Sequence, residues 1–531
     1  LTQSGQPRGR QLRRLIGGTA LLGAVTLGAA AVTLLPGFEY LLHTTRAGFG
    51  FDDKANGFPI RDIIQLVVPG IVSTWSPLHV GFVGLTLALI ALARRLPQSL
   101  FWGGVALIGL LWSFGENSAF FAAIYNLLPG LRFFRGQERA AFLVMVSLAT
   151  LAGLGATALA GRSSAISRAE IDRWTWLLRR VFAICAIFAS LVVVAWLGAN
   201  DAYELYVSRV VLAAAVVGLV TLLLPRAARG ASMASTLLTA LLVFELFTIS
   251  MDHSATFDHA TPETQIAMAP PPLVAQALAD TNGTFRVDGF RGLTANYGSL
   301  YGLADIRGIS PLFMAGPHRI IEGDLPDSTA WELFAVRYVF SDWQELPVPS
   351  AVVGTGSDFY GEIRLHRLSD PRPFALLMTA VEVVSDPEAA FARLADPAFN
   401  PRAALLLEQA PSLPSGIGGG ARVVDFAPEQ IAIETEGSGM LSIALPYYPG
   451  WEARVNGTPA EILRAYGALS AVIVTEDHAR VELVYNPLSY RVGVLLSLFT
   501  WIASGILGAQ LLVSRSRNAK RTPVSGMDRR A

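Results

Sequence analysis

The chain has 531 residues, 52% of them hydrophobic and 15% charged, and a formal net charge of zero. Soluble domains carry about 25% charged residues, so the deficit points to lipid as a major solvent, and no bulk basicity suggests nucleic acid. The single cysteine, Cys185, excludes an intrachain disulfide and zinc sites of the CxxC type.

A helix needs about 20 apolar residues to cross a bilayer core. In chain order, the stretches that meet or approach this length lie at roughly 16–42, 78–94, 99–115, 140–161, 177–199, 207–225, 232–251 and 490–513. The first is too long for the apolar part of a cleaved signal peptide. The stretch "VFAICAIFASLVVVAWLGA" (181–199) lacks the polar back face of a soluble amphipathic helix. Two shorter apolar pieces, "IRDIIQLVVPGIV" (60–72) and "SAFFAAIYNLLPGL" (118–131), end at or close to Pro-Gly and predict re-entrant or interfacial helices.

With about eight spans, both ends fall on one side. That side collects nineteen Lys and Arg, from Arg8 to Arg530, whereas the opposite short loops hold six: Arg46, Lys54, Arg61, Arg132, Arg135 and Arg139. The asymmetry predicts a plasma-membrane protein with cytoplasmic ends and an outward-facing region at 252–488. There, "RVVDFAPEQIAIETE" and "ARVELVYNP" alternate as half-buried strands do. The segment "PEAAFARLADPAFNPRAALLLE" predicts a helix in its first half and a turn at its prolines. The expected architecture is an α-helical polytopic membrane protein with a large extracytoplasmic α/β region ending in a β-sandwich. Its parts are a seven-helix membrane domain (1–251), a mixed α/β region (252–419), the sandwich (420–488), a last span (489–513) and a basic tail (514–531).

The stretch "LPGLRFFRGQERAAF" (128–142) places Arg132, Arg135, Glu138 and Arg139 at the mouth of a span. On a helix the three arginines share one face. The guanidinium fork matches phosphate oxygens, which suits a lipid-phosphate clamp with Glu138 holding one arginine. The alternative is a set of snorkelling side chains that anchor a helix end. The loop after the first span adds Glu39, Arg46, Asp52, Asp53 and Arg61, and Glu116 ends the third span. An outward carboxylate beside an arginine suits a base for an acceptor hydroxyl or a ligand to a divalent cation, although adjacent aspartates such as Asp52 and Asp53 are more often simply a solvated loop. Glu245, inside the seventh span, is a proton or ligand site or is buried against a serine or backbone partner. Asp252, His253, Asp258 and His259 form a weak metal-ligand pattern. GxSxG, HExxH and P-loop motifs are absent, and sequons at Asn282 and Asn456 fit an exposed domain.

Several stretches resemble the YfhO family of bacterial multi-pass membrane proteins. They are "LLPGLRFFRGQERAAFLVMVSLATLAGLG", "LTANYGSLYGLADIRGISPLF" around Asn296, Tyr301, Gly302, Asp305, Arg307 and Gly308, and "WELFAVRYVFSD". The most specific is "LPYYPGWEARVNGTPAEILRAYGALSAVIV" with "HARVELVYNPLSYRVGVLLSL". The family is similar to C-superfamily glycosyltransferases, which pass a sugar from a polyprenyl-phosphate donor to a cell-envelope glycopolymer or lipid on the outer face. The resemblance implies that the family's N-terminal spans and catalytic acid lie upstream of residue 1, so no catalytic residue is carried over. What is carried over is donor binding by Arg46, Arg132, Arg135, Glu138 and Arg139. The resemblance also implies a glycopolymer partner, which Trp451, Tyr447 and Tyr448 would meet by stacking on sugar faces, with buried aromatic packing as the alternative role for Trp451. The second reading is a non-catalytic factor for envelope polysaccharide assembly or export.

Overall fold

In the computed structural model, residues 8–71, 78–128, 130–131, 134–161, 167–199, 204–251, 269–358, 361–411 and 418–519 are described. The chain forms two compact units: residues 49–265, and residues 1–48 together with 266–531.

The first of these is helical. Its longer helices are Phe82–Ala93, Ser99–Ser113, Ala141–Leu159, Arg168–Ala199, Glu204–Ala228 and Ser232–Met251. Two apolar cores hold them together. Phe82, Val83 and Ile90 pack with Val216, Val217, Val220 and Leu238. On the other side of the same helix, Ala88 and Ala91 pack with Val144, Leu148 and Leu151. The outer faces stay apolar and uncovered, as at Ile184, Leu191, Val194, Leu222 and Phe247, which is the face a helix turns to acyl chains. At one end of Phe82–Ala93, Arg94 pairs with Glu170 at 3.5 Å, and Arg229 pairs with Asp172 at 3.6 Å.

Among the described residues, Gln137–Leu159, Arg168–Gly198, Tyr206–Ala228 and Leu488–Ser514 are long and apolar enough to cross a membrane. A fifth span results if the bent pair Leu12–Ala29 and Ala31–Leu42 counts as one. The expected spans at 78–94, 99–115 and 232–251 appear as apolar helices whose qualifying lengths are shorter, Phe82–Ala93, Ser99–Ser113 and Ser232–Thr248. Length and composition therefore support a multi-pass membrane protein without reaching eight spans. Of the two predicted short outer helices, one is the 3-10 helix Ile60–Leu66 and the other the α-helix Ala119–Leu127, capped by the Ser118 hydroxyl.

In the other unit the first expected span is broken. Arg8–Ala29 and Ala31–Leu42 meet at 76°. The break is closed from the last helix, Leu488–Ala519. The Val32 amide donates to the Ser497 hydroxyl at 2.9 Å, and that hydroxyl donates to the Gly28 carbonyl at 3.2 Å. A hydroxyl from a neighbouring helix thus serves the backbone groups the bend releases. Gly493 permits the approach: a Cβ there would lie 2.6 Å from the Ala31 carbonyl oxygen.

The rest of this unit is three sheets. A four-stranded sheet runs in the order Arg286–Asp288, Val336–Ser341, Gly361–Leu368, Ser350–Asp358. The sandwich pairs a five-stranded sheet, spanning 420–485, with a six-stranded one. Three strands upstream of residue 420 join the six-stranded sheet: Ala375–Met378, Val381–Val383 and Leu405–Leu407. Strand Gly439–Pro446 shows why its sequence is apolar on both faces. Leu441 and Ile443 meet Ile431, Ile433, Val481 and Leu483 of the facing sheet, while Met440 meets Trp331, Phe334 and Leu405. The predicted helix is Pro387–Leu394, capped by the Asp386 carboxylate accepting from the Ala389 amide at 2.8 Å.

Candidate functional site

In the helical unit the RGQER segment is a turn, not a helix face. Gly136 adopts φ +75°, and the 3-10 turn Gln137–Ala140 follows it. The predicted single-face array of Arg132, Arg135 and Arg139 is therefore not formed, because the left-handed residue lies between Arg135 and Arg139. Arg132 lies outside the described residues. Arg135 and Arg139 are exposed, and Glu138 is half-buried.

The residue that fixes this turn is Gln137, which sequence reasoning passed over. It is buried, and its side-chain amide and its backbone N–H are all used. Its side-chain oxygen accepts from the Trp112 indole at 2.7 Å. Its amide donates to the Lys54 carbonyl at 3.0 Å and the Phe134 carbonyl at 3.2 Å. Its backbone N–H donates to Asn56 at 2.9 Å. The segment 54–58 is in turn laced to the next loop, with the Phe58 amide donating to Ser113 and the Glu116 amide to Ala55. The arginines thus stand on a rim built from three loops.

The predicted acids are separate groups on these loops. Asp52, Asp53 and Glu116 are exposed, and Asp53 accepts from the Gly50 amide at 2.9 Å. Among the described residues no group of three or more His, Cys, Asp or Glu side chains is placed to hold a metal ion. The Asp252–His259 pattern lies outside the described residues.

The same unit buries several ionisable side chains. Lys54, Asp62, His79, Arg209 and Glu245 are all buried. Glu245 has the expected backbone partner, the Phe82 amide at a helix start, and a second partner that the sequence did not announce, His79. Both its oxygens accept from the Phe82 amide at 2.9 Å, and Oε1 lies 3.0 Å from His79 Nε2. His79 Nδ1 faces the Gln65 carbonyl at 3.1 Å, so Nδ1 carries a proton. A periodicity argument finds the burial of Glu245 but not its partner, 166 residues away.

In the other unit, Glu39 and Arg46 flank a junction between the helix Ala31–Leu42 and the sheets. The Tyr40 hydroxyl donates to the Leu312 carbonyl at 2.8 Å. Thr45 donates to Phe313, and Ala315 donates to His43, each at 2.9 Å. Arg46 is half-buried in the turn Thr45–Gly48. Tyr448 closes an aromatic seam, 6.0 Å from Tyr40, 5.4 Å from His43 and 6.2 Å from Tyr485. Burial, helped by Tyr485 and the Glu39 carboxylate, pushes the Tyr448 phenol upward. The Tyr485 phenol is raised in the same way, by burial and Glu39. Trp451 packs against Tyr485 at 5.4 Å, in the packing role rather than as a free sugar platform.

The family-like stretch around Asp305 and Arg307 is a charged knot. Arg307 binds both oxygens of buried Asp288, at 2.7 and 3.2 Å. It also binds Asp327 at 2.6 Å and Glu322 at 3.1 Å. The Trp331 indole donates to Asp288 at 2.6 Å. Burial is the largest influence on Asp305 and, with the Asp288 charge, raises its carboxyl to about 6, against opposing hydrogen bonds from the Arg307 and Gly289 amides.

Residues 429–497 match a family model described as bacterial membrane protein YfhO. That span takes in the seam tyrosines Tyr448 and Tyr485 and the start of the last helix. No curated protein matches, and no solved structure matches.

Proposed function

By its residues 429–497 the chain belongs to the YfhO family of bacterial membrane proteins, and from that premise we propose that it is a membrane glycosyltransferase-like protein. The donor is a polyprenyl-phosphate sugar, and the acceptor is a cell-envelope glycopolymer or lipid on the outer face. In the transfer, an acceptor hydroxyl oxygen bonds to the anomeric carbon as the sugar–phosphate bond breaks. The electron pair leaves with the polyprenyl phosphate. Exposed Arg135 and Arg139, beside half-buried Glu138, are the donors proposed for that charge; Arg132 and Arg46 are proposed as phosphate donors on sequence grounds. The family resemblance puts the base that takes the hydroxyl proton upstream of residue 1; within this chain the exposed carboxylates Asp52, Asp53 and Glu116 form a candidate acidic site, and Glu39 is a separate one.

The family match carries this reading, and the exposed arginines on a rim fixed by Gln137 support its phosphate-binding part. Reconstitution into proteoliposomes with labelled polyprenyl-phosphate sugar tests it. Label should appear in an envelope acceptor. Charge-assisted contacts are worth about 1.5–3 kcal/mol, so Arg135→Ala should weaken donor binding about tenfold or more. Absence of transfer together with unchanged binding in Arg135→Ala and Arg139→Ala would overturn the reading.

A further inference from the structure

The sandwich carries a polar cleft of about 360 Å³, lined by Ser385, Glu408, Gln409, Tyr447, Glu461 and Arg464 among others. Its size falls at the lower end of the range for small-ligand sites, roughly 300–1,000 Å³. Two of its walls are locked. Arg464 forks onto Glu408, with Nε at 2.6 Å from one carboxylate oxygen and Nη2 at 2.8 Å from the other. The same guanidinium lies 5.6 Å over the Tyr447 ring, and the Tyr447 amide is held by the Ala468 carbonyl at 2.8 Å.

Tyr447 and Tyr448 follow strand Gly439–Pro446 in sequence, and neighbours in extended chain point to opposite faces. Tyr448 enters the seam with Tyr40 and His43, whereas Tyr447, 39% exposed, lines the cleft. The cleft therefore lies one residue from the junction of the sandwich with the first helices of its unit.

The lining selects by chemistry. Hydroxyl, amide, carboxylate and guanidinium groups converge on the space, which suits a ligand dense in hydroxyls rather than an acyl chain. Two carboxylates against one guanidinium leave the lining negative, which disfavours a polyphosphate. An aromatic ring beside a planar ion pair suits a sugar face with its ring hydroxyls.

We propose that this cleft binds an uncharged saccharide segment of the acceptor. Calling that segment the acceptor rests on the glycosyltransferase reading; the binding itself does not.

The test uses the full chain in lipid nanodiscs, with short neutral oligosaccharides of glucose and of N-acetylglucosamine as probes. Binding is read by saturation-transfer NMR and calorimetry. Wild type should bind at least one series saturably. Tyr447→Ala and Glu461→Gln, both at exposed positions, should each weaken binding about tenfold or more while leaving the melting temperature unchanged. Arg464→Ala serves as a third variant, since loss of its pair with Glu408 affects folding as well. No saturable binding, equal binding in both exposed-site variants, or preferential binding of poly(glycerol phosphate) overturns the proposal. Sugar transfer is scored separately. Transfer without saccharide binding in the cleft overturns this inference and leaves the enzymatic reading standing. Cleft binding without transfer supports this inference and removes the enzymatic reading.

Discussion

Replacing Gln137 by alanine is the sharpest probe of the arginine rim, because it touches no charged group. The change deletes three side-chain hydrogen bonds and leaves the backbone bond to Asn56 intact. A buried partner left unpaired costs about 1–3 kcal/mol. Phe134 is exposed, so water replaces the amide at its carbonyl and that bond contributes little. The Trp112 indole and the Lys54 carbonyl are the partners that lose most, which sets the expected cost at roughly 2–4 kcal/mol. Gln137→Glu should do no better, since it presents a carboxylate to two carbonyls. Unfolding in mixed micelles, titrated with SDS, measures the loss. A double-mutant cycle with Trp112→Phe should return a coupling of about 1 kcal/mol or more. A cost below about 0.5 kcal/mol, or no coupling, would show that the amide does not hold the turn. Donor binding should also fall in Gln137→Ala although Arg135 and Arg139 remain.

The buried pair makes a discriminating set. Glu245→Gln keeps an oxygen for the Phe82 amide and offers an N–H to His79 Nε2, so it should cost less than about 1 kcal/mol; Glu245→Ala should cost about 3–5 kcal/mol, read by the same unfolding assay. Ser497→Ala removes the clasp across the broken helix and should cost about 1–2 kcal/mol, and Gly493→Leu should cost more by forcing the helices apart. Asp305 gives a pH signature beside the four-stranded sheet. Its folded value of about 6 lies above the ordinary 3.8. Its contribution to stability is therefore fully present below pH 4 and is lost as pH rises through 6. Asp305→Asn keeps an oxygen for the Gly289 and Arg307 amides, so it should flatten that window and gain about 2–3 kcal/mol at neutral pH, read as a pH series of melting curves on the full chain.

Local pattern carried the strands well. The alternation in "RVVDFAPEQIAIETE" becomes the hairpin Gly420–Ala427 and Gln430–Glu436, and "ARVELVYNP" becomes most of His478–Tyr485. Each of these faces a core on one side and solvent on the other, the arrangement that a period of two reports. Strands such as Ala375–Met378 escaped because they are short and take their register from Gly439–Pro446, some 65 residues on. The break at Ala30 also left no local mark. No proline or charge sits at that residue, and the groups that make the bend tolerable come from Ser497. Composition drew attention to the arginines of the RGQER segment, yet the buried member of that motif is neutral Gln137. A side chain chosen for what it pairs with, rather than for its polarity, leaves no periodic signal. The His79–Glu245 contact is hidden for the same reason.

The clasp at Ser497 has a consequence for biogenesis. The backbone groups it serves, at Gly28 and Val32, lie about 465 residues earlier in the order of synthesis. Until the ribosome delivers the final hydrophobic segment, the elbow near Ala30 presents an open amide and carbonyl to hydrocarbon, where each costs several kcal/mol. The nascent pair must wait at the membrane surface or against an insertase, and a stop codon just before residue 497 would register as an insertion defect near residue 30.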